Sequence, residues 1–184
     1  MSDVLKQFSC IILAGGEGRR VNGQDKGLVL FNNRPLIAHV IAAVSPQCDD
    51  IVISANRNIE SYRQYADTVI SDTSDSYRGP LAGIAACLPP CRHEHVLVIA
   101  CDMPALPATL VERLAADMDR YPVCIATVGG QHQLAMIIHH SLLQSIRQSL
   151  DNDQLKLITW VRSRQYQTVS FDDLPEAFAN LNKI

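Results

Sequence analysis

The first apolar run of the chain breaks at a glycine pair, and that break constrains everything after it. Cys10-Ile11-Ile12-Leu13-Ala14 passes into Gly15-Gly16-Glu17-Gly18, then Arg19-Arg20, then Asp25-Lys26-Gly27. An apolar run bounded by glycine reads as a buried strand. Glycine tolerates positive φ and lets a ligand approach the backbone closely. Successive backbone N–H groups in such a turn form a concave anion site. Arg19, Arg20 and Lys26 bring positive charge to the same place, and Asp25 is positioned to orient Lys26. The stretch therefore predicts a strand that delivers a triphosphate-sized binding turn at its carboxyl end.

Two common phosphate-binding patterns do not account for it. Gly-x-x-x-x-Gly-Lys-Ser/Thr occurs nowhere in the chain, and Gly-x-Gly-x-x-Gly, started at Gly16 and Gly18, fails because position 21 is Val21. On chemistry alone the bland alternative is a surface turn with solvated arginines.

The rest of the chain alternates strand and helix signals. Strands are expected at Cys10–Ala14, Asp50–Ala55, Thr68–Ser71, His95–Ala100, Val123–Val128, Leu134–His139 and Tyr166–Phe171. Helices are expected from Pro35 to Val44, within Asn56–Ala66, from the Arg78–Gly83 loop to Pro89, and from Pro107 to Met118. Two more are expected after a Ser141 cap and over Leu155–Val161, with a helical turn over Pro175–Leu181. Gly129-Gly130-Gln131-His132 is a natural turn between two of the strands. Such alternation argues the α/β class: one Rossmann-like domain with a mostly parallel central sheet and helices on both faces. Ligands of these sheets bind outside the carboxyl ends of the strands. Those ends are Gly15-Gly16, Ser54-Ala55-Asn56, Asp72 and Asp102. Asp and Asn also terminate strands for purely structural reasons, so the convergence with the glycine turn is what gives them weight.

Composition removes several classes of function. At 184 residues the length fits one domain with a sizeable core. A net charge of −3 gives no global basic field for nucleic acid. No window reaches the roughly 18 apolar residues of a membrane span. Met1–Phe8 is polar and lacks the plan of a signal peptide, so a cytoplasmic location is expected. The six cysteines, Cys10, Cys48, Cys87, Cys91, Cys101 and Cys124, are then expected as free thiols. Cys87, Cys91, His93 and His95 form the one cluster with zinc-like ligands, but the His-x-His pair follows too closely for the common finger spacing. A helix end, a Pro-Pro turn and a polar lead into a strand is the favoured reading there.

Leu13-Ala14-Gly15-Gly16, Arg19-Arg20 and Asp25-Lys26-Gly27 together resemble the signature of the MobA-like nucleotidyltransferases. The resemblance extends along nearly the whole chain. Asp72 resembles the family's aspartate after the third strand, Gly79-Pro80-Leu81-Ala82-Gly83 its Gly-Pro-Leu-Ala-Gly loop, Asp102-Met103-Pro104 its metal-binding Asp-x-Pro, and Asn180-Leu181-Asn182 its terminal Asn-x-Asn. There are departures: Arg20-Val21-Asn22-Gly23 stands where Arg-Met-Gly is usual, Lys183-Ile184 where Thr-Pro is usual, and His132-Gln133 where His-Pro is common.

The resemblance implies one nucleotidyltransferase domain over residues 1–184, acting as a monomer in the cytoplasm. It implies that the terminal phosphate of Mo-molybdopterin attacks the α-phosphorus of GTP, with pyrophosphate leaving. Lys26, Arg19 and Asp102 would be the catalytic residues, and Asp102 the Mg²⁺ ligand. Leu13, Ala14, Gly15, Gly16, Lys26, Ser54, Asp72 and Asp102 would bind the nucleotide. Gly79, Pro80, Leu81, Gly83, Asn180 and Asn182 would meet the pterin. Other proteins of cofactor biosynthesis and delivery are implied as partners, and neither nucleic acid nor a membrane. A carboxylate at Asp72 can accept from the N1–H and 2-amino group of guanine, or from a ribose hydroxyl. Transfer of CMP in place of GMP, to molybdopterin or another small phosphate, and a nucleotide-binding regulator without turnover, are the alternatives.

Overall fold

The computed structural model describes residues 7–15, 25–72 and 78–181. Strand β1 (Phe8–Leu13) is followed by the short pair β2 (Leu30–Phe31) and β3 (Arg34–Pro35), then α1 (Leu36–Val44), β4 (Asp50–Ser54), α2 (Ile59–Tyr62) and β5 (Thr68–Ile70). After these come α3 (Pro80–Cys87), β6 (His95–Ala100), α4 (Leu110–Ala115), β7 (Val123–Val128), β8 (Gln131–His139), α5 (Leu143–Asp151), α6 (Leu157–Arg162) and β9 (Tyr166–Ser170).

Seven strands form one sheet in the order β5-β4-β1-β6-β8-β7-β9. All neighbours run parallel except β8, which is antiparallel to both β6 and β7. The sheet is therefore mostly parallel, as expected. β8 returns antiparallel to β7 because Gly129 and Gly130 take φ of 55° and 72° and reverse the chain in two residues. A parallel neighbour would have needed a long crossover.

Strand alternation divides the core in two. Cys10, Ile12, Ile53, Leu97 and Ile99 face α1, α2, α4 and the C-terminal turn over Pro175–Phe178. Ile11, Val52, Val96 and Val98 face α3, α5 and α6. Each side chain faces away from its neighbour because the strand period is two. Helices thus cover both faces, which a parallel sheet of continuous apolar strands requires.

Some local expectations are corrected. Leu30–Phe31 and Arg34–Pro35 pair across Asn32 and Asn33, both at positive φ (48° and 60°), in a hairpin that the sequence reading did not include. Ser141 does not cap α5: a 3₁₀ turn over His140–Leu142 precedes that helix, and the Ser141 hydroxyl lies 2.7 Å from His139 Nδ1. The expected helix over Pro107–Met118 is regular only over Leu110–Ala115. No helix among the described residues is long and apolar enough to cross a membrane.

The chain fills β1, β4 and β5 outward in one direction, then returns to lay β6 on the other side of β1. Between the ends of β1 and β6 the two flanking connections diverge and leave a crevice. That is the switch point at which open α/β sheets bind ligands.

Candidate functional site

The ladder continues past the strand ends and brings four of them level. Ala14 N–H donates to Ser54 C=O at 2.8 Å, Ala55 N–H to Ile70 C=O at 2.9 Å, and Cys101 N–H to Leu13 C=O at 3.2 Å. The residues that follow line one cleft: Leu13, Ala14, Gly15, Ser54, Asp72 and Asp102, together with Lys26, Gly79, Pro80 and Gly83. Ala100, Cys101 and Leu134, which the sequence reading had not assigned to a site, also line it.

Lys26 opens a single 3₁₀ turn over Lys26–Leu28, closed by a 3.0 Å bond from Leu28 N–H to Asp25 C=O. Its ammonium pairs with Asp102 Oδ2, from a residue 76 positions away just after β6. The two side chains are only 25% and 11% exposed, so water screens the pair less than a surface pair. The other carboxylate oxygen of Asp102, Oδ1, is buried and has no hydrogen-bond partner among the described residues. Buried carboxylate oxygens are normally satisfied. An acceptor left over in a cleft suits a hard cation. No group of three or more His, Cys, Asp or Glu is arranged to hold a metal among the described residues. A cation here would therefore depend on Asp102, water and ligand oxygens.

Asp25 does not orient Lys26 as expected. Its carboxylate accepts from the Tyr62 hydroxyl and from Asn58 Nδ2 at 3.0 Å, with Arg57 Nε 3.8 Å away. Burial, and then the hydrogen bond to Asp25, push the Tyr62 hydroxyl well above its ordinary range, so it is the donor.

At the other wall, Asn56 clasps Asp72. Asn56 Oδ1 accepts from Asp72 N–H at 3.0 Å and from the Ser71 hydroxyl at 3.2 Å, and its Nδ2 donates to Asp72 Oδ1 at 2.9 Å. A backbone N–H can only donate, so the amide orientation is fixed and its NH₂ must face the carboxylate. The signal for Asn56 was present in the sequence: it is polar and closes an apolar strand.

Gly79, Pro80 and Gly83 contribute to the same cleft. Gly79 has φ of 75° and precedes Pro80, the first residue of α3. A Cβ at Gly83 would stand 2.7 Å from Ser54 Oγ and 3.0 Å from Leu13 Cδ2. Gly83 thus lets α3 press against the floor under Leu13 and Ser54. Leu81 is corrected: it is fully buried in the core on the α3 side, so its side chain cannot meet a substrate. Asn180 is exposed and outside the cleft, but its neighbour Leu181 donates an N–H to Asp102 C=O at 3.2 Å. Gly16, Arg19 and Asn182 lie outside the described residues.

Cys101 lines the cleft, but burial, and then the charges of Asp102 and Asp25, push its thiol up to about 12. It is not a nucleophile at neutral pH. The Cys87–His95 cluster is dispersed: Cys87 is in the core, Cys91 Sγ meets Cys87 C=O, His93 Nε2 lies 2.7 Å from Asp49, and His95 packs on Phe8 and His139. The His132 ring lies 6.0 Å from that of Tyr166, tilted by 54°, and its Nε2 is shielded without a hydrogen-bond partner among the described residues.

A strand-end cleft at the switch point, with a glycine backbone, a lysine and a carboxylate, defines a nucleotide-handling α/β protein. Residues 10–168 match the MobA-like NTP transferase domain, and the chain belongs to that family of nucleotidyltransferases. It is 40% identical over 179 residues to the molybdenum cofactor guanylyltransferase of Shewanella halifaxensis, covering 96% of this chain and 90% of that one. The enzyme of the same name from Shewanella amazonensis is 38% identical over 179 residues, covering 96% and 91%. Among solved structures, molybdopterin-guanine dinucleotide biosynthesis protein A from Archaeoglobus fulgidus superposes with a TM-score of 0.76 at 20% identity, covering 95% and 92%. A nucleotidyl transferase from Methanothermobacter thermautotroptrophicus superposes with a TM-score of 0.71 at 16% identity, covering 96% and 92%. These two establish likeness of fold.

Proposed function

We propose that the protein transfers GMP from GTP to Mo-molybdopterin, forming the guanine dinucleotide form of the cofactor and releasing pyrophosphate. The observation that carries this reading is the Lys26–Asp102 pair at the head of the cleft that also holds Gly15 and Asp72. The guanylyl transfer named in relatives at up to 40% identity supports the choice of substrates.

The chemistry asks for position and charge more than for covalent participation. The attacking phosphate monoester is already largely ionised near neutral pH, because its second pKa is about 6. No side chain has to take its proton. Gly15 offers backbone N–H to the triphosphate, and Lys26 neutralises charge that builds on it as pyrophosphate departs. Arg19 is proposed to assist from the glycine stretch. Asp102 divides its oxygens: Oδ2 holds Lys26, and Oδ1 is left for Mg²⁺. Bound there, Mg²⁺ would supply charge neutralisation on the phosphate oxygens. Leu13, Ala14 and Ser54 face the nucleoside, with Asp72, held by Asn56, as its polar acceptor. Gly79 and Pro80 open the side of the cleft assigned to the pterin, with Asn180 and Asn182 on the tail that Leu181 ties to Asp102.

The same reading takes residues 1–184 as one domain acting as a monomer. It places the protein in the cytoplasm, with its six cysteines as free thiols.

The test is pyrophosphate release from GTP with Mg²⁺, with and without Mo-molybdopterin. Release that requires the acceptor is expected. No release under either condition would leave a nucleotide-binding regulator.

A further inference from the structure

The turn that presents Lys26 is too short to hold its own shape. A three-residue 3₁₀ turn has one or two weak hydrogen bonds and takes its geometry from its surroundings. Here the surroundings come from α2, in the crossover from β4 to β5. Tyr62 is fully buried, and its hydroxyl donates to Asp25 Oδ1 from 37 residues away. Asn58 donates to Asp25 Oδ2 at 3.0 Å from a left-handed backbone, φ 51° and ψ 33°. On the other side of Lys26, a Cβ at Gly27 would stand 2.5 Å from the Tyr62 hydroxyl oxygen and 3.1 Å from the ring. The residue before Lys26 is therefore bonded to the tyrosine, and the residue after it lies flat against the same ring.

We propose that Tyr62 and Asn58 are positioning residues for nucleotidyl transfer. They fix Asp25 and Gly27, and so fix the turn from which Lys26 reaches Asp102. Neither needs to touch a substrate. This rests on Lys26 acting on the triphosphate. A latch that only stabilised the fold would change melting and leave the folded enzyme's rate alone. A latch that positions Lys26 changes the rate of the folded enzyme, and only while Lys26 is present. Displacing a charge-stabilising group by about 1 Å is enough to cost up to a hundredfold.

The experiment compares Tyr62→Phe and Asn58→Gly in the full chain with the wild type and with Lys26→Ala. Phenylalanine keeps the ring, and glycine keeps the left-handed backbone while removing the amide. Single-turnover GMP transfer at saturating GTP, KM for GTP and melting temperature are measured for each. Both variants should fold, with kcat lowered roughly tenfold or more and KM for GTP moved much less. In the Lys26→Ala background the same substitutions should change the rate less than about twofold, because the group they position is gone. Wild-type rates in both variants would overturn the proposal. So would an equal fold-loss in the Lys26→Ala background, which would place their action elsewhere. Wild-type transfer by Lys26→Ala alone would remove the assigned role of Lys26 first and the latch with it, a result separable from the other two.

Discussion

At Lys26, one ammonium meets a carboxylate that is mostly out of water. As a structural ion pair this is worth on the order of 1 kcal/mol, near the top of the range for exposed pairs because water screens it less. In the proposed contact to a triphosphate it would be worth far more, because charge would build beside the ammonium in the transition state. Lys26→Ala should therefore fold with near-normal stability and transfer GMP about a hundredfold more slowly, the scale for losing one preorganised charge contact. Lys26→Arg should recover only part of that, since a planar guanidinium does not replace a compact ammonium at one oxygen. Single-turnover rates at saturating GTP decide it, and wild-type rates in both variants would remove Lys26 from the site. Residues of this kind were legible because glycine or proline punctuation flanks them: Gly15 closes a strand, Lys26 precedes Gly27, and Asp102 precedes Met103-Pro104. Tyr62 carried no such mark. It is one of two tyrosines in a polar stretch, and its partner is 37 residues away. Leu81 was assigned to the site from a motif string, but helical periodicity turns that position into the core.

The strands have a second set of charged ends, away from the cleft. Before β6, Arg92 donates its N–H to Asp50 at the start of β4 at 2.8 Å, and its Nε lies 3.2 Å from the same carboxylate. Burial alone would raise the Asp50 carboxyl, but hydrogen bonds from Arg92 and Ser9 and the Arg92 charge outweigh it and hold it below 3.8. His95, the first residue of β6, is held below 6.5 by burial and then by His139. Both shifts have the same sign of consequence. Between the ordinary and the lowered value the unfolded chain binds more protons than the fold, so stability falls as pH falls. His95 contributes fully above pH 6.5 and loses its contribution below it. Asp50 contributes above about 3.8 and loses it as pH falls through its lowered value. The urea midpoint should drop between pH 7 and 5, and His95→Gln should flatten that part of the curve. An unchanged slope in the variant would assign the drop to other groups. At this scale the sequence was informative wherever an apolar run of one strand's length was bounded by turn residues. The expected strand over His95–Ala100 coincides with β6, and that over Val123–Val128 with β7. It was silent where pairing is non-local: the glycine hairpin announced β8 but not its insertion between β6 and β7.

The whole molecule brings distant parts of the chain to one edge of the sheet. β1 leads into Gly15, β4 and β5 supply the Asn56–Asp72 clasp, and β6 leads into Asp102. The C-terminal tail crosses the α1 side, packs Phe178 on Phe171 at 4.9 Å, and returns to Asp102 through Leu181. This gathering follows from the reversal of strand order at β1, which the alternation of strands and helices makes predictable. Which base the cleft accepts does not follow from topology; in the proposed function it is read by the acceptor that Asn56 holds in place at Asp72. The most direct measurement offers the enzyme equimolar GTP, CTP and ATP with Mg²⁺ and Mo-molybdopterin, and identifies the base in the dinucleotide formed. The guanine dinucleotide in large excess is the predicted product, and a cytosine dinucleotide as the main product would contradict the account.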